Sequence, residues 1–277
     1  MMAKVGLNSL FFYTIAALFF LIPSALICAE LATTFSKGSG GIYLWVKRAF
    51  GEKIGFLAIW SEWFNNVIAF PTTIIFIASA ITYAFAPALI HNKHYMIIMM
   101  LVILWGTTFY NCLGLKASSR LNALGATFGT IIPSLIIIAL ALIWIASKRP
   151  IQLNFTLGNL LPPMHGASVA FLIGVFSAYA GMQVTSFHAQ NVVQPAKSFP
   201  KAIFLSVITI FVLTVLVSLA IAIVAPAKQL NLISGMFEGF QIFLNAFHIG
   251  SLLPALVLLI ALSSISELSA WLLAPAR

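Results

Sequence analysis

The chain has 277 residues, of which 62% are hydrophobic and only 7% charged. A soluble domain carries roughly a quarter charged residues. So few charges do not cover a water-facing surface, which excludes a soluble enzyme, a disordered chain and a nucleic-acid binder.

The mean hydropathy of +1.09 predicts an all-α polytopic membrane protein. No period-2 alternation runs through the apolar stretches, which argues against a β-barrel. The 14 Lys+Arg outnumber five acids, for a net charge of +9, yet they are scattered in ones and twos between apolar runs. That pattern suits loops against anionic headgroups rather than a phosphate-binding face.

A helix needs about 20 residues to cross a bilayer. Seven stretches meet this length, near 7–29, 54–86, 96–115, 121–147, 167–190, 202–225 and 249–274, and together they predict a single transmembrane domain over 1–277. The second is too long for an upright helix and is expected to tilt or to bend at Pro71. No secretory signal is evident, because the first run is full length and more spans follow it.

Lys37, Lys47, Arg48, Lys53, Lys116, Arg120, Lys197, Lys201 and Arg277 fall in one set of alternating loops, nine in all. Lys4, Lys93, Lys148, Arg149 and Lys228 make five in the opposite set. The positive-inside rule then puts the N-terminus outside and the C-terminus in the cytoplasm of an inner or plasma membrane. The first span follows only a few residues, and the chain stops at Arg277 directly after the last, so both ends are expected to be cut.

Along the chain, Ser36-Lys37-Gly38-Ser39-Gly40-Gly41 lacks the Gly-Lys-Ser/Thr ending of a phosphate loop. It reads as a flexible turn into a short amphipathic surface helix, with Tyr43 and Trp45 at headgroup level and Lys47 and Arg48 toward lipid phosphates. Cys28 and Cys112 read as two free, small, buried residues without metal spacing.

The fifth span concentrates small and polar residues in Phe176-Ser177-Ala178-Tyr179-Ala180-Gly181-Met182-Gln183. Two readings stand. One is a helix broken inside the membrane, whose freed backbone groups face a cavity or ligand. The other is a continuous helix whose small residues allow close packing.

Among the acids, Glu52 and Glu238 fall in loops, whereas Glu30, Glu62 and Glu267 lie at or within spans. An ionisable group in a membrane is a functional candidate. For Glu30 and Glu62 the alternative is an interfacial position paired with Lys or Arg. For Glu267 the choice is between a structural hydrogen-bonding role and a gating or proton-linked one. No two of the five histidines share a helix face, so no metal site is expected. His188 reads as a packing or gating residue rather than a proton sensor. The stretch 235–248 repeats apolar residues at three- and four-residue steps, which suits a short amphipathic helix, either a lid or a surface anchor.

These residues resemble the amino acid–polyamine–organocation superfamily, in its glutamate:γ-aminobutyrate antiporter-like branch. Ile22-Pro23-Ser24 through Ala29-Glu30-Leu31 is similar to the end of that family's second helix. Gly40-Gly41-Ile42-Tyr43-Leu44-Trp45-Val46 and Phe50-Gly51 match the loop that follows. Asn111-Cys112-Leu113-Gly114-Leu115-Lys116, Tyr179-Ala180-Gly181-Met182-Gln183, Gln194-Pro195-Ala196-Lys197 and Ser266-Glu267-Leu268-Ser269 through Arg277 resemble later signatures, in order.

The resemblance implies that the spans are family helices 2 to 8 of a partial LeuT-type fold. This inverted repeat of five plus five helices would lack its first helix and its last ones. Where the family carries a Glu after the break, Gln183 stands here, and a second family acid is replaced by Asn191.

The resemblance implies an amino-acid exchanger working by alternating access. Its substrate would sit at Ser177, Tyr179, Ala180, Gly181, Met182 and Gln183, with Glu30, Glu267 and His188 in structural or gating roles. No cofactor is expected. The expected partners are an amino-acid substrate, the lipid bilayer and a second copy in a homodimer, with no nucleic acid. The alternative is a truncated, transport-inactive remnant. A retinal-type receptor is excluded because no lysine lies deep in a span, and an enzyme because no metal set or Ser/His/Asp arrangement is found.

Overall fold

The computed structural model describes residues 7–35, 41–153, 166–185, 192–224 and 235–273. No strand occurs among them. Nine helices account for most of the described residues: α1 Asn8–Thr34, α2 Ile42–Phe50, α3 Glu52–Phe85, α4 Lys93–Cys112, α5 Leu115–Ala146, α6 Gly166–Tyr179, α7 Pro195–Val224, α8 Gly235–Ala246 and α9 Leu253–Leu273. Seven spans are long and apolar enough to cross a membrane, six of them built on α1, α3, α4, α5, α7 and α9 and one on α6 with the turn that follows it. The chain is an all-α polytopic membrane protein.

The helices start and stop where local chemistry dictates. Asn92 caps α4, its side-chain oxygen accepting the N–H of His94 at 3.1 Å and of Tyr95 at 3.2 Å. A proline inside a helix removes one N–H and crowds the turn before it. Pro23 and Pro133 each follow a turn widened to the π form, Ala17–Leu21 and Gly125–Ile131. Both sit in the same local sequence, Ile-Pro-Ser. Pro71 is handled differently. The 34 residues of α3 run unbroken through it, and the Thr72 hydroxyl donates to Ala69 O at 2.6 Å. At 1.5 Å per residue α3 is about 51 Å long, well beyond the roughly 30 Å of hydrocarbon.

Two compact units divide the chain, one holding residues 1–59 and 141–232, the other 60–140 and 233–276. The first is built around α1, α6 and α7. Along α1 the buried residues are mostly small: Ala16, Ala17, Ala25, Cys28, Ala29 and Ala32. They pack with Phe171 and Val175 of α6 and with Phe199, Ile203 and Val207 of α7. Small residues let helix backbones approach closely in lipid, where no hydrophobic drive separates one apolar surface from another.

In the second unit α9 lies against the π-widened turn of α5 in a contact of the same kind. A Cβ on Gly129 would stand 2.5 Å from Leu259 O and 2.6 Å from Ser263 N, and one on Gly125 would collide with the Ser266 hydroxyl. Only hydrogen fits between these backbones. Hydroxyls line the seam: Thr130 Oγ1 and Ser263 Oγ are 2.6 Å apart, and Ser118 Oγ and Ser269 Oγ 3.0 Å apart. Asn111 of α4 joins it, donating to Ser269 O at 3.0 Å and accepting from the Ser269 hydroxyl.

The amphipathic stretch 235–248 forms α8 over Gly235–Ala246. It is more than a surface anchor, because Phe237, Phe240, Phe243 and Leu244 are all buried. Phe237 stacks on Phe76 at 5.3 Å, and the Tyr83 hydroxyl donates to Gln241 Oε1 at 3.0 Å.

Gly129→Ala places a methyl group against backbone that has no rotamer to yield. It is expected to lower stability by about 1–3 kcal/mol, read as a lower thermal midpoint in detergent, whereas Ser263→Ala at the same seam removes one hydrogen bond and costs about 1 kcal/mol.

Candidate functional site

The fifth span settles one open choice. The α-helical ladder of α6 stops at Tyr179, and a single tight turn over 182–185 follows. Gly181 lies between them at φ +113°, a conformation that L side chains rarely adopt. The Ala180 N–H reaches back to Ser177 O at 3.3 Å instead of continuing the i→i+4 pattern. The Gly181 N–H donates to the side-chain oxygen of its near neighbour Gln183 at 3.1 Å. Val184 N–H then closes the turn on Gly181 O at 3.1 Å, and the Thr185 hydroxyl caps Met182 O at 2.7 Å. The span is therefore interrupted, with Gln183 supplying the acceptor that the broken ladder withholds.

The expected site residues divide into two groups. Ser177 and Ala180 are exposed, with the Ser177 hydroxyl donating to Ile173 O at 3.0 Å. Tyr179 and Met182 turn the other way and are buried in the cluster of the first unit. Gly181 and Gln183 lie between these extremes. The structure thus brings all six into one short break but sends their side chains to opposite sides of it.

A residue outside the expected set meets Tyr179. Its ring lies 6.4 Å from that of Tyr13 on α1. The Tyr13 hydroxyl accepts a hydrogen bond from Ser218 of α7 at 3.3 Å. Phe171 packs beside Tyr13 at 6.2 Å. Tyr179 is 3% exposed, and its hydroxyl has no hydrogen-bond partner among the described residues. Tyr13 was legible as an isolated phenol in an apolar run, the kind of polar group that needs a partner inside a membrane.

Glu30 and Glu267 are exposed on α1 and α9, and their carboxylates make no hydrogen bond or ion pair among the described residues. His188 lies outside the described residues. Likewise among the described residues, no group of three or more His, Cys, Asp or Glu side chains is placed to hold a metal ion.

The expected surface helix is present as α2 over Ile42–Phe50, with no side chain buried. Lys47 bonds Glu52 at 2.8 Å and sits near the Tyr43 hydroxyl at 3.3 Å. The Glu52 bond, then the Tyr43 bond, hold the Lys47 ammonium above the ordinary lysine range, so it stays charged at any physiological pH. Arg48 lies over the Phe35 ring at 5.7 Å.

An all-helical membrane protein with an interrupted apolar span has the build of a helical transporter. The sequence matches the amino acid permease family over residues 1–277, and the chain belongs to that family. It is 38% identical over 275 residues to an uncharacterized transporter of Legionella pneumophila, a match that covers 99% of this chain and 59% of the relative. It is 31% identical over 279 residues to a glutamate/gamma-aminobutyrate antiporter of Lactococcus lactis, covering 99% and 56%. A third relative is the human large neutral amino acids transporter small subunit 2, 27% identical over 201 residues, covering 68% and 36%. The chain therefore spans less than two thirds of the length of these relatives.

Gly181→Ala puts a Cβ at φ +113°. It is expected to cost about 1–2 kcal/mol and to lower the thermal midpoint. Gln183→Glu keeps an acceptor for the Gly181 N–H and leaves the midpoint near that of the unmodified protein, while Gln183→Leu removes the acceptor and lowers it.

Proposed function

We propose that the protein moves amino acids across an inner or plasma membrane as an exchanger working by alternating access. The observation that carries this reading is the break between Tyr179 and Gly181 inside an apolar span. A helix that ends within a membrane leaves carbonyls at its C-terminus and N–H groups beyond the break without helical partners. An amino acid carries an ammonium for the first and a carboxylate for the second. Membership of the amino acid permease family points the same way.

In this reading the unwound backbone around Ser177–Gly181 is the binding site. Tyr179 and Met182 shape its wall, and Gln183 stabilises the break. A neutral amide in place of a carboxylate gives Gln183 no proton to exchange, so any proton coupling rests on other groups. Glu30 and Glu267 serve as gating or helix-tying acids. The spans take the places of helices 2 to 8 in an inverted-repeat fold of five plus five helices. The distribution of Lys and Arg favours an outside N-terminus, a cytoplasmic C-terminus and hence a cytoplasmic α2. A relative named as a glutamate/gamma-aminobutyrate antiporter makes those two amino acids the first substrates to try.

The test is counterflow in liposomes preloaded with glutamate, γ-aminobutyrate, glutamine or arginine. Labelled amino acid is expected to accumulate only when a substrate is present on the far side. An absence of exchange with every amino acid would overturn the reading in favour of a transport-inactive chain.

A further inference from the structure

The Tyr179 phenol is an anomaly of the first unit. It closes α6, is 3% exposed, and its hydroxyl has no hydrogen-bond partner among the described residues. A buried hydroxyl left without a partner disfavours its own conformation by about 5- to 150-fold in population. A partner stands close by. Tyr13 is in ring contact with Tyr179 at 6.4 Å and is itself 7% exposed. Its hydroxyl accepts from Ser218 at 3.3 Å, at the long end for an O–H···O bond. A phenol has two lone pairs and one proton. Among the described residues Tyr13 therefore keeps one lone pair and its own proton free, and it can take up Tyr179 without releasing Ser218.

The element that bears Tyr179 is built to move. The helical ladder ends at that residue, and the next peptide turns at Gly181, held by the side chain of Gln183. Few backbone bonds have to break for the last turn of α6 to rotate.

We propose that Tyr13 and Tyr179 form a two-position switch at the break in α6. In the arrangement described here the Tyr179 hydroxyl is uncommitted among the described residues. In the second arrangement the end of α6 has turned so that this hydroxyl bonds to that of Tyr13. The unpaired hydroxyl raises the free energy of the first arrangement and holds the two close in population, so that occupancy of the break shifts the balance between them. The inference rests on the exchanger reading for its purpose, because it assigns the step that reshapes the binding site between turnovers. The charged groups of the spans play no part in it. The groups that meet are two phenols and one serine.

The test is Tyr179→Phe, which removes one oxygen and keeps the ring packed on Tyr13. Deleting an unpaired hydroxyl favours the arrangement described here, so the thermal midpoint without substrate is expected to rise. Exchange in liposomes is expected to slow about 10-fold, the size of one hydrogen bond lost from the second arrangement. Tyr13→Phe removes the same bond from the other side and is expected to slow exchange alike. The double variant is expected to be no slower than either single one, as for two groups acting through one contact. A lower midpoint for Tyr179→Phe would show that the hydroxyl already has a partner such as ordered water, and would overturn the proposal. Single effects that multiply in the double variant would overturn it as well. If the unmodified protein exchanges nothing, the exchanger reading fails, and the change in midpoint still decides whether the hydroxyl is unpaired.

Discussion

Hydrocarbon offers a peptide group no hydrogen bonds, so every N–H and C=O at membrane depth has to find a partner in the chain or in a ligand. A continuous helix satisfies the demand by default, and six of the seven spans follow that rule or bend it gently. At Pro23 and Pro133 the helix widens its turn just before the proline, and at Pro71 it runs on unbroken, with the Thr72 hydroxyl donating to Ala69 O. At Tyr179–Gly181 the ladder stops altogether, and the chain spends a side chain, Gln183, on the orphaned Gly181 N–H. The amide suits that task. It accepts strongly, carries no charge, and does not change state with pH.

The same demand explains why the two units are held together internally in different ways. Around the break, α1 presents alanines and a cysteine to the aromatic and branched residues of α6 and α7. Polar groups are few there, and the three that matter, Tyr13, Tyr179 and Ser218, are concentrated at one point. In the other unit, serines, a threonine and an asparagine run along the α5–α9 seam and satisfy one another. One unit has a largely apolar interior in which Asn8 Oδ1 and the Tyr179 hydroxyl are buried without partners among the described residues, and the other a polar seam in which these hydroxyls are paired.

Much of this was legible in the sequence because span length and hydropathy are strong signals. The seven apolar stretches correspond to helices whose ends differ mainly by a few residues; the fourth begins at Leu115 rather than near Leu121 because the Lys-Ala-Ser-Ser-Arg stretch is helical despite being polar. The break in the fifth span was visible as a cluster of small and polar residues, but composition alone did not separate a broken helix from a closely packed one. Only the φ of Gly181 and the destination of its N–H decide that. Tyr13 and Ser218 went unmarked because their meaning is a matter of contact: they stand far apart in sequence from Tyr179 and carry no motif. Gly125-x-x-x-Gly129 was a readable signal of close packing, hidden in a run otherwise notable for its apolar length.

The α5–α9 seam has a thermal consequence. Large heat-capacity changes come from exposing apolar surface to water. Parting α5 from α9 within lipid exposes Gly125, Gly129 and their neighbours to acyl chains instead, so that separation carries almost no heat-capacity change. Its free energy falls with temperature along a nearly straight line, without the dome that bounds the stability of soluble cores on both sides. Cooling therefore only tightens this contact, and the seam has no cold-induced opening of the kind that water imposes on a buried apolar interface.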